Sequence, residues 1–452
     1  MKRKVKIITI IFMLLLSFNV IADSNQMLKD ISLHKEPTKA RFKVQRTNMK
    51  KSFKVKNDLE FNSKAGQDFS KTQQFKVDTE NFKSPKTIKG IYLTGWVAGL
   101  SSRFNRLLYL VNNTELNAMV IDVKNVEGEI SYNSQLSLAK KFDANVNKIR
   151  DLKGILQKCK ENNIYTIARI PVFKDKKLAT DSKYALKFYD KNNDKNNDKN
   201  EIIASKIWLN PYSREVWRYN VDLAIEAAML GFDEIQLDYI RFPAFVNLDR
   251  YNLAVAPADS KVEIINDFIS YAKTRLGEYG IPLSIDVFGL TTSGSDLGIG
   301  QDFSSLAAKV DYISPMVYPS HYAPGAYGLA VPEKEPYFTI FKSMQDAKRE
   351  LDGRSEKLRP WLQDFSLRHV YGVKEVRDQI KAAKALGLDS WLLWNPSSRY
   401  TWQAFRRNDL VAKKQQVSVV TDRGKGDQNV KVDTRKSNAE KDESKERVTD
   451  RT

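Results

Sequence analysis

Eight short apolar runs alternate with helix-patterned segments between residues 88 and 410, and that alternation limits the chain to very few folds. The runs open at Ile88, Ala118, Tyr165, Phe232, Pro282, Asp311, Leu358 and Ser390. Helical periodicity occupies 101–112, 147–161, 213–230, 260–278 and 373–386, with Gly231 and Gly387 standing where a helix is expected to stop. Each helix that feeds a strand is half of a βα repeat, and eight repeats over roughly 310 residues are the count and size of a (β/α)8 TIM barrel of the α/β class. An open doubly wound sheet alternates too, but the chain has no glycine-rich strand-to-helix turn of the dinucleotide or P-loop kind. A last helix is expected at 401–410 to close the barrel.

The fourth run, from Phe232 to Pro243, reads as a buried strand ending in a carboxylate. Side chains alternate along a strand, so Gln236 and Asp238 share one face while Ile235, Leu237 and Tyr239 share the other. Barrel enzymes place their chemistry at the carboxyl ends of strands, which makes Asp238 the first candidate. A plain cap or an ion pair with Arg241 is the competing explanation for a single aspartate there.

Two loops are long. The one after the third run, 173–210, contains the low-complexity tract 190–200, built of Asp, Lys and Asn, and is expected to be a mobile surface insertion. The one after the sixth run, 319–336, is rich in Tyr, Gly and Pro and is expected to wall an extended substrate.

The ends differ in character. Residues 1–22 carry Lys2, Arg3, Lys4 and Lys6 ahead of an apolar run and small residues, the pattern of a secretory signal peptide, with an uncleaved membrane anchor as the alternative. Residues 23–87 are Lys-, Asn- and Ser-rich and read as a disordered basic tether, and 411–452 as a charged disordered tail. Of the net charge of +19, the leader contributes +4, residues 23–89 +8 and residues 411–452 +3. The basicity therefore belongs to the ends, which argues against nucleic acid as the partner of the central domain. Cys159 is the single cysteine, so no intramolecular disulfide forms, which is compatible with the export to a periplasm, cell surface or extracellular space that the leader implies.

Strand-end side chains converge on one mouth whatever their separation in sequence. Those expected there are Trp96, Asp122, Lys124, Arg169, Gln236, Asp238, Asp286, Tyr318, His321, Gln363, Asp364, Trp394 and Asn395. Several carboxylates amid aromatic faces and amides suit sugar chemistry: one carboxyl group protonates the leaving oxygen and a second acts as nucleophile or activates water. The chain has three histidines, and His34 lies in the tether, so His321 and His369 cannot build a multi-histidine zinc site. No Gly-x-Ser-x-Gly elbow is present. No cofactor is called for. A glycan-binding barrel without turnover and a metal-assisted hydrolase or deacetylase are the rival functions.

The order of short motifs strengthens this reading. Gly90-Ile91-Tyr92-Leu93, Ile121-Asp122-Val123-Lys124, Ala168-Arg169-Ile170, Asn210-Pro211-Tyr212, Gln236-Leu237-Asp238-Tyr239-Ile240-Arg241-Phe242-Pro243, Asp286-Val287-Phe288-Gly289, Pro315-Met316-Val317-Tyr318 with His321, and Trp361-Leu362-Gln363-Asp364 follow one another over 88–406. In this the chain resembles a bacterial glycosyl hydrolase domain family, itself distantly similar to α-amylase-type glycosidases. The resemblance implies a (β/α)8 barrel that cleaves poly- or oligosaccharide. It implies Asp238 on strand four as nucleophile or base, Asp286 on strand five as proton donor, and Asp364 on strand seven as stabiliser. Amylase-type enzymes use Glu as donor where this chain has Asp286, which leaves Asp122 as a second candidate for that role. Trp361 and Gln363 share a face of strand seven, so Asp364 is expected to face away from them.

Overall fold

The computed structural model describes residues 85–190, 201–244, 251–253, 260–352 and 354–406. The expected leader, most of the tether, the tract 191–200 and the charged tail lie outside the described residues. Among the described residues eleven strands form in chain order: β1 Lys89–Leu93, β2 Ala118–Asp122, β3 Tyr165–Pro171, β4 Ala185–Asp190, β5 Glu201–Leu209, β6 Glu234–Asp238, β7 Tyr251–Leu253, β8 Leu283–Phe288, β9 Tyr312–Met316, β10 Trp361–Gln363 and β11 Trp391–Trp394. Eight of them close a parallel barrel in the order β1-β11-β10-β9-β8-β6-β3-β2. Closure is made where β1 pairs with β11, Lys89 opposite Trp391.

The barrel follows from strand alternation. Ile91, Leu93, Met119, Ile121, Ile235, Leu237, Ile285 and Leu362 pack outward into the large core beneath the helices. Tyr92, Val120, Ile167, Trp361 and Leu392, one residue out of phase, form the smaller cluster that fills the barrel interior. Helices Arg214–Leu230 and Lys261–Gly277 pack against each other on the outside. Ser213 caps the first from its side chain, and Gly231 at φ 111° ends it in a left-handed turn that a residue with a Cβ would adopt only under strain. Ser260 and Glu263 form a capping box at the start of the second.

At the amino end of the barrel the interior is polar. Arg359 donates from Nη1 to Glu234 Oε2 at 3.1 Å, Ser284 Oγ donates to Glu234 Oε1 at 2.5 Å, and both charged groups are fully buried. A buried ion pair of this kind is held by its extra hydrogen bonds as much as by its charge.

Two expectations are corrected. The segment 173–210 is not a plain loop: β4 and β5 form an antiparallel hairpin, and β7, from the segment after β6, adds to β4. The low-complexity tract obscures a period-two pattern on either side of it, in which Leu186, Phe188 and Trp208 turn inward to the core. Nor does a helix begin at Thr401; a single 3-10 turn, Trp402–Ala404, follows, and residues 407–410 lie outside the described residues. Among the described residues no helix is long and apolar enough to cross a membrane.

Candidate active site

Inward-facing parity brings charged residues from four strands to the carboxyl-end mouth. Asp122 ends β2, Asp238 ends β6, and Arg169 and Asp286 sit within β3 and β8 on the inward phase set by Ile167 and Ser284. Arg169 is the hub. Its Nη1 donates to Asp122 Oδ1 at 2.7 Å, its Nε and Nη2 donate to Asp238 Oδ2 at 3.1 and 2.5 Å, and its Nε lies 3.8 Å from Asp286 Oδ2. Asp238 and Asp286 therefore reach the same nitrogen, and their nearest oxygens cannot be farther apart than those two distances laid end to end.

Each carboxylate has a further neutral partner. Tyr92 from β1 donates its hydroxyl to Asp122 Oδ2 at 2.5 Å, and Trp361 from β10 donates Nε1 to Asp286 Oδ1 at 2.7 Å. Tyr92 stacks on Trp394 with centroids 4.0 Å apart, Trp361 meets Trp394 edge-on at 5.7 Å, and the Arg169 guanidinium lies 5.0 Å from the Trp394 ring centroid. Across the mouth Tyr318, His321 and Phe365 form an edge-on trio with centroids 5.4 to 6.3 Å apart. Gln363 builds that wall: its Oε1 accepts from Ser320 N at 3.1 Å and its Nε2 donates to Phe365 O at 2.8 Å.

The backbone is strained where the chemistry would be. Tyr239, directly after Asp238, has φ 51°, a left-handed conformation that is costly for a bulky residue, and its amide donates to Asp238 Oδ1 at 2.5 Å. Trp208 of β5, Lys174 and Arg241 pack around the Tyr239 ring. The hairpin thus steadies the turn that carries Asp238.

Electrostatics separate the acids. Burial, with the charge of Asp238 adding to it, holds the Asp286 carboxyl well above the usual carboxylate range, against the opposing pull of Arg169. Burial raises Asp122 as well, with Arg169 and Tyr92 pulling the other way. Burial works against the Arg169 cation, yet Asp238 and Asp122 outweigh it and Arg169 stays charged. His321 is pushed down to about 4 by burial and by Arg368, and its Nδ1 lies 2.9 Å from Ser320 Oγ. It is neutral near pH 7.

Not every expected residue reaches this centre. Lys124 is fully buried behind it, donating to Asp175 Oδ2 at 2.8 Å and Asn220 Oδ1 at 2.7 Å, so it has no face left for substrate. Asp364 follows the outward Leu362 phase and is held by Thr401 through N at 2.9 Å and Oγ1 at 2.7 Å, with no bond to the Arg169 cluster. Asn395 shapes a turn, donating to Asp364 O and accepting from Ser397 N at 2.8 Å. Gln236 lies inward and deeper, its Nε2 3.4 Å from Ser314 Oγ and its Oε1 without a partner. Arg241 is buried over the Trp208 and Phe288 rings and donates to Phe242 O, away from Asp238. Trp96 stands exposed at the rim. Tyr92 and Trp361 are the partners that sequence reasoning passed over, although both lie on the inward phase of strands already recognised. Among the described residues no three His, Cys, Asp or Glu side chains are disposed as a metal site.

The family described as "Putative glycosyl hydrolase domain" matches residues 90–400. No curated protein matches the chain. Among solved structures, the chain is similar to a hypothetical protein from Ruminiclostridium thermocellum, at 35% identity over 44% of this chain and 97% of that one, with a TM-score of 0.37. It is also similar to the glycoside hydrolase domain of PgaB (BpsB) from Bordetella bronchiseptica, at 11% identity over 74% and 98% of the two chains, with a TM-score of 0.50, a likeness of fold. The catalytic domain of the β-amylase from Paenibacillus polymyxa follows at 12% identity over 74% and 98%, with a TM-score of 0.42.

Proposed function

Because this chain belongs to the "Putative glycosyl hydrolase domain" family over residues 90–400, we propose that it is an exported hydrolase that cleaves glycosidic bonds of a cell-envelope or extracellular polysaccharide. The observation that carries the mechanism is the division of labour around Arg169: Asp238 is bonded to a fixed cation, while burial and the charge of Asp238 favour the protonated form of Asp286 beside it. Asp286 then serves as the acid, passing its proton to the leaving glycosidic oxygen as the anomeric C–O bond breaks. Asp238 serves as the carboxylate, either attacking the anomeric carbon or taking a proton from the water that does. Arg169 balances the charge of Asp238 and Asp122, and Trp361 fixes the direction of the Asp286 carboxyl group. The Tyr92–Trp394 stack and the Tyr318 trio offer apolar walls to the faces of a sugar ring. Export rests on the leader reading of residues 1–22.

Replacing Asp238 with Asn tests this directly. Reducing-end release from the polysaccharide that the wild-type protein cleaves should fall at least about 10³-fold, with an unchanged circular dichroism spectrum. Turnover within a few-fold of wild type would remove Asp238 from the mechanism. The deep burial of the three carboxylates, each 5% exposed or less, also favours a second reading, a barrel that binds glycan without turnover. Saturable glycan binding by the wild-type protein with no reducing ends released over a broad glycan panel would select that reading.

A further inference from the structure

Outside the mouth, a groove among the described residues combines an exposed aromatic with two cations that lack a side-chain partner. It has a volume of about 620 Å³ and is lined by residues of the helices Ser101–Asn112 and Leu152–Glu161 together with Trp96 and the segment 146–151. Trp96 is 62% exposed, an arrangement in which a large ring has much to gain from covering a sugar face. Arg150 and Lys158 are exposed on the groove wall, and among the described residues neither side chain makes a hydrogen bond or an ion pair. The one acid in the lining, Asp151, accepts from Gly154 N at 2.9 Å as a helix cap. Lys148 is neutralised by Glu129 at 2.7 Å. With Lys148 paired, Arg150 and Lys158 outnumber the still-charged Asp151, and the lining is net positive by one charge.

Trp96 ties the groove to the barrel wall, lying three residues beyond the end of β1, whose Tyr92 bonds Asp122. Lys148 Nζ lies 5.9 Å from the Trp96 ring centroid, and its charge acts on the Asp122 carboxyl. The walls are in contact at Gly99, where a Cβ would meet Lys148 O at 1.9 Å, so the groove floor is set by backbone packing.

We propose that this groove is an accessory subsite that holds a carboxylate-bearing stretch of polysaccharide beside the mouth. The proposal rests on the hydrolase reading for its purpose but not for its test. Binding is measured by calorimetry on the full chain carrying Asp238→Asn, with polygalacturonate and its fully methyl-esterified form as probes, which share a backbone and differ in charge. Polygalacturonate should bind, the ester should bind at least about ten-fold more weakly, and raising salt should erase the difference. Adding Trp96→Ala, or Arg150→Gln with Lys158→Gln, should each weaken polygalacturonate binding about ten-fold. Equal affinity for the two polymers, no binding of polygalacturonate, or binding untouched by both sets of substitutions would each overturn the proposal. Failure of the hydrolase reading would show instead as absent reducing-end release by the wild-type protein.

Discussion

At Asp286 burial and a neighbouring negative charge push in the same direction, and the pH dependence follows from that. A carboxyl group whose folded pKa is raised contributes stability that is complete below the unfolded value of about 3.9 and is lost as pH rises through the folded one. Asp286→Asn should therefore abolish turnover yet raise stability by about 1–2 kcal/mol at pH 8, with no gain at pH 4, in denaturant titrations at the two pH values. A stability difference that does not change with pH would show that Asp286 holds no proton against solvent. The wild-type rate should fall on the alkaline side as Asp286 loses its proton, and Arg169→Gln, which removes an opposing cation, should move that limb to higher pH in a pH–rate profile. Strand parity made Asp122, Asp238 and Asp286 legible in the sequence, and the same parity set Asp364 apart. Lys124 was misread because it keeps the phase of Asp122 but lies beyond the end of β2, where the chain has left the barrel wall.

At the scale of elements, Lys124 links the end of β2 to Asp175 in the segment after β3 and to Asn220 on the helix Arg214–Leu230. Lys124→Met leaves Asp175 buried without its cation, and should cost about 3–5 kcal/mol in unfolding free energy. Lys124→Met with Asp175→Leu should recover most of that loss, and the Michaelis constant should stay unchanged in the double variant. A raised Michaelis constant there would return Lys124 to the substrate. Helices were legible because the caps Ser213 and Ser260 and the stop Gly231 are local signals. The β4–β5 hairpin was not, because the low-complexity tract interrupts its period-two pattern, and the β4–β7 pairing joins segments separated by the whole of β6, a partner that no local pattern reports. Nor does any local signal report that Trp208 would be packed against Tyr239, which makes the hairpin a brace for the strained turn beside Asp238.

For the whole molecule, closure is complete within the described residues, since β1 and β11 are neighbours in the sheet. A fragment spanning 85–406 should fold cooperatively and retain the wild-type turnover of a short oligosaccharide within about two-fold; loss of cooperative unfolding would place part of the core beyond those limits. Eight repeats were legible from alternation, because an apolar run between helices is buried on both faces of a parallel sheet, and the missing glycine-rich turn told the closed wall from an open one. Both limits of the barrel also meet at one carboxylate. Lys89 donates Nζ to Glu115 Oε2 at 2.8 Å, and Arg406 donates its amide to Glu115 Oε1 at 3.1 Å. The polypeptide thus enters and leaves beside the amino ends of β1 and β2, on the side remote from Asp238. A fragment 85–406 made fast to a support at either of its ends would present the cleft outward, and a short peptide joining 406 to 85 would allow new termini to be opened between β4 and β5 without unthreading the wall.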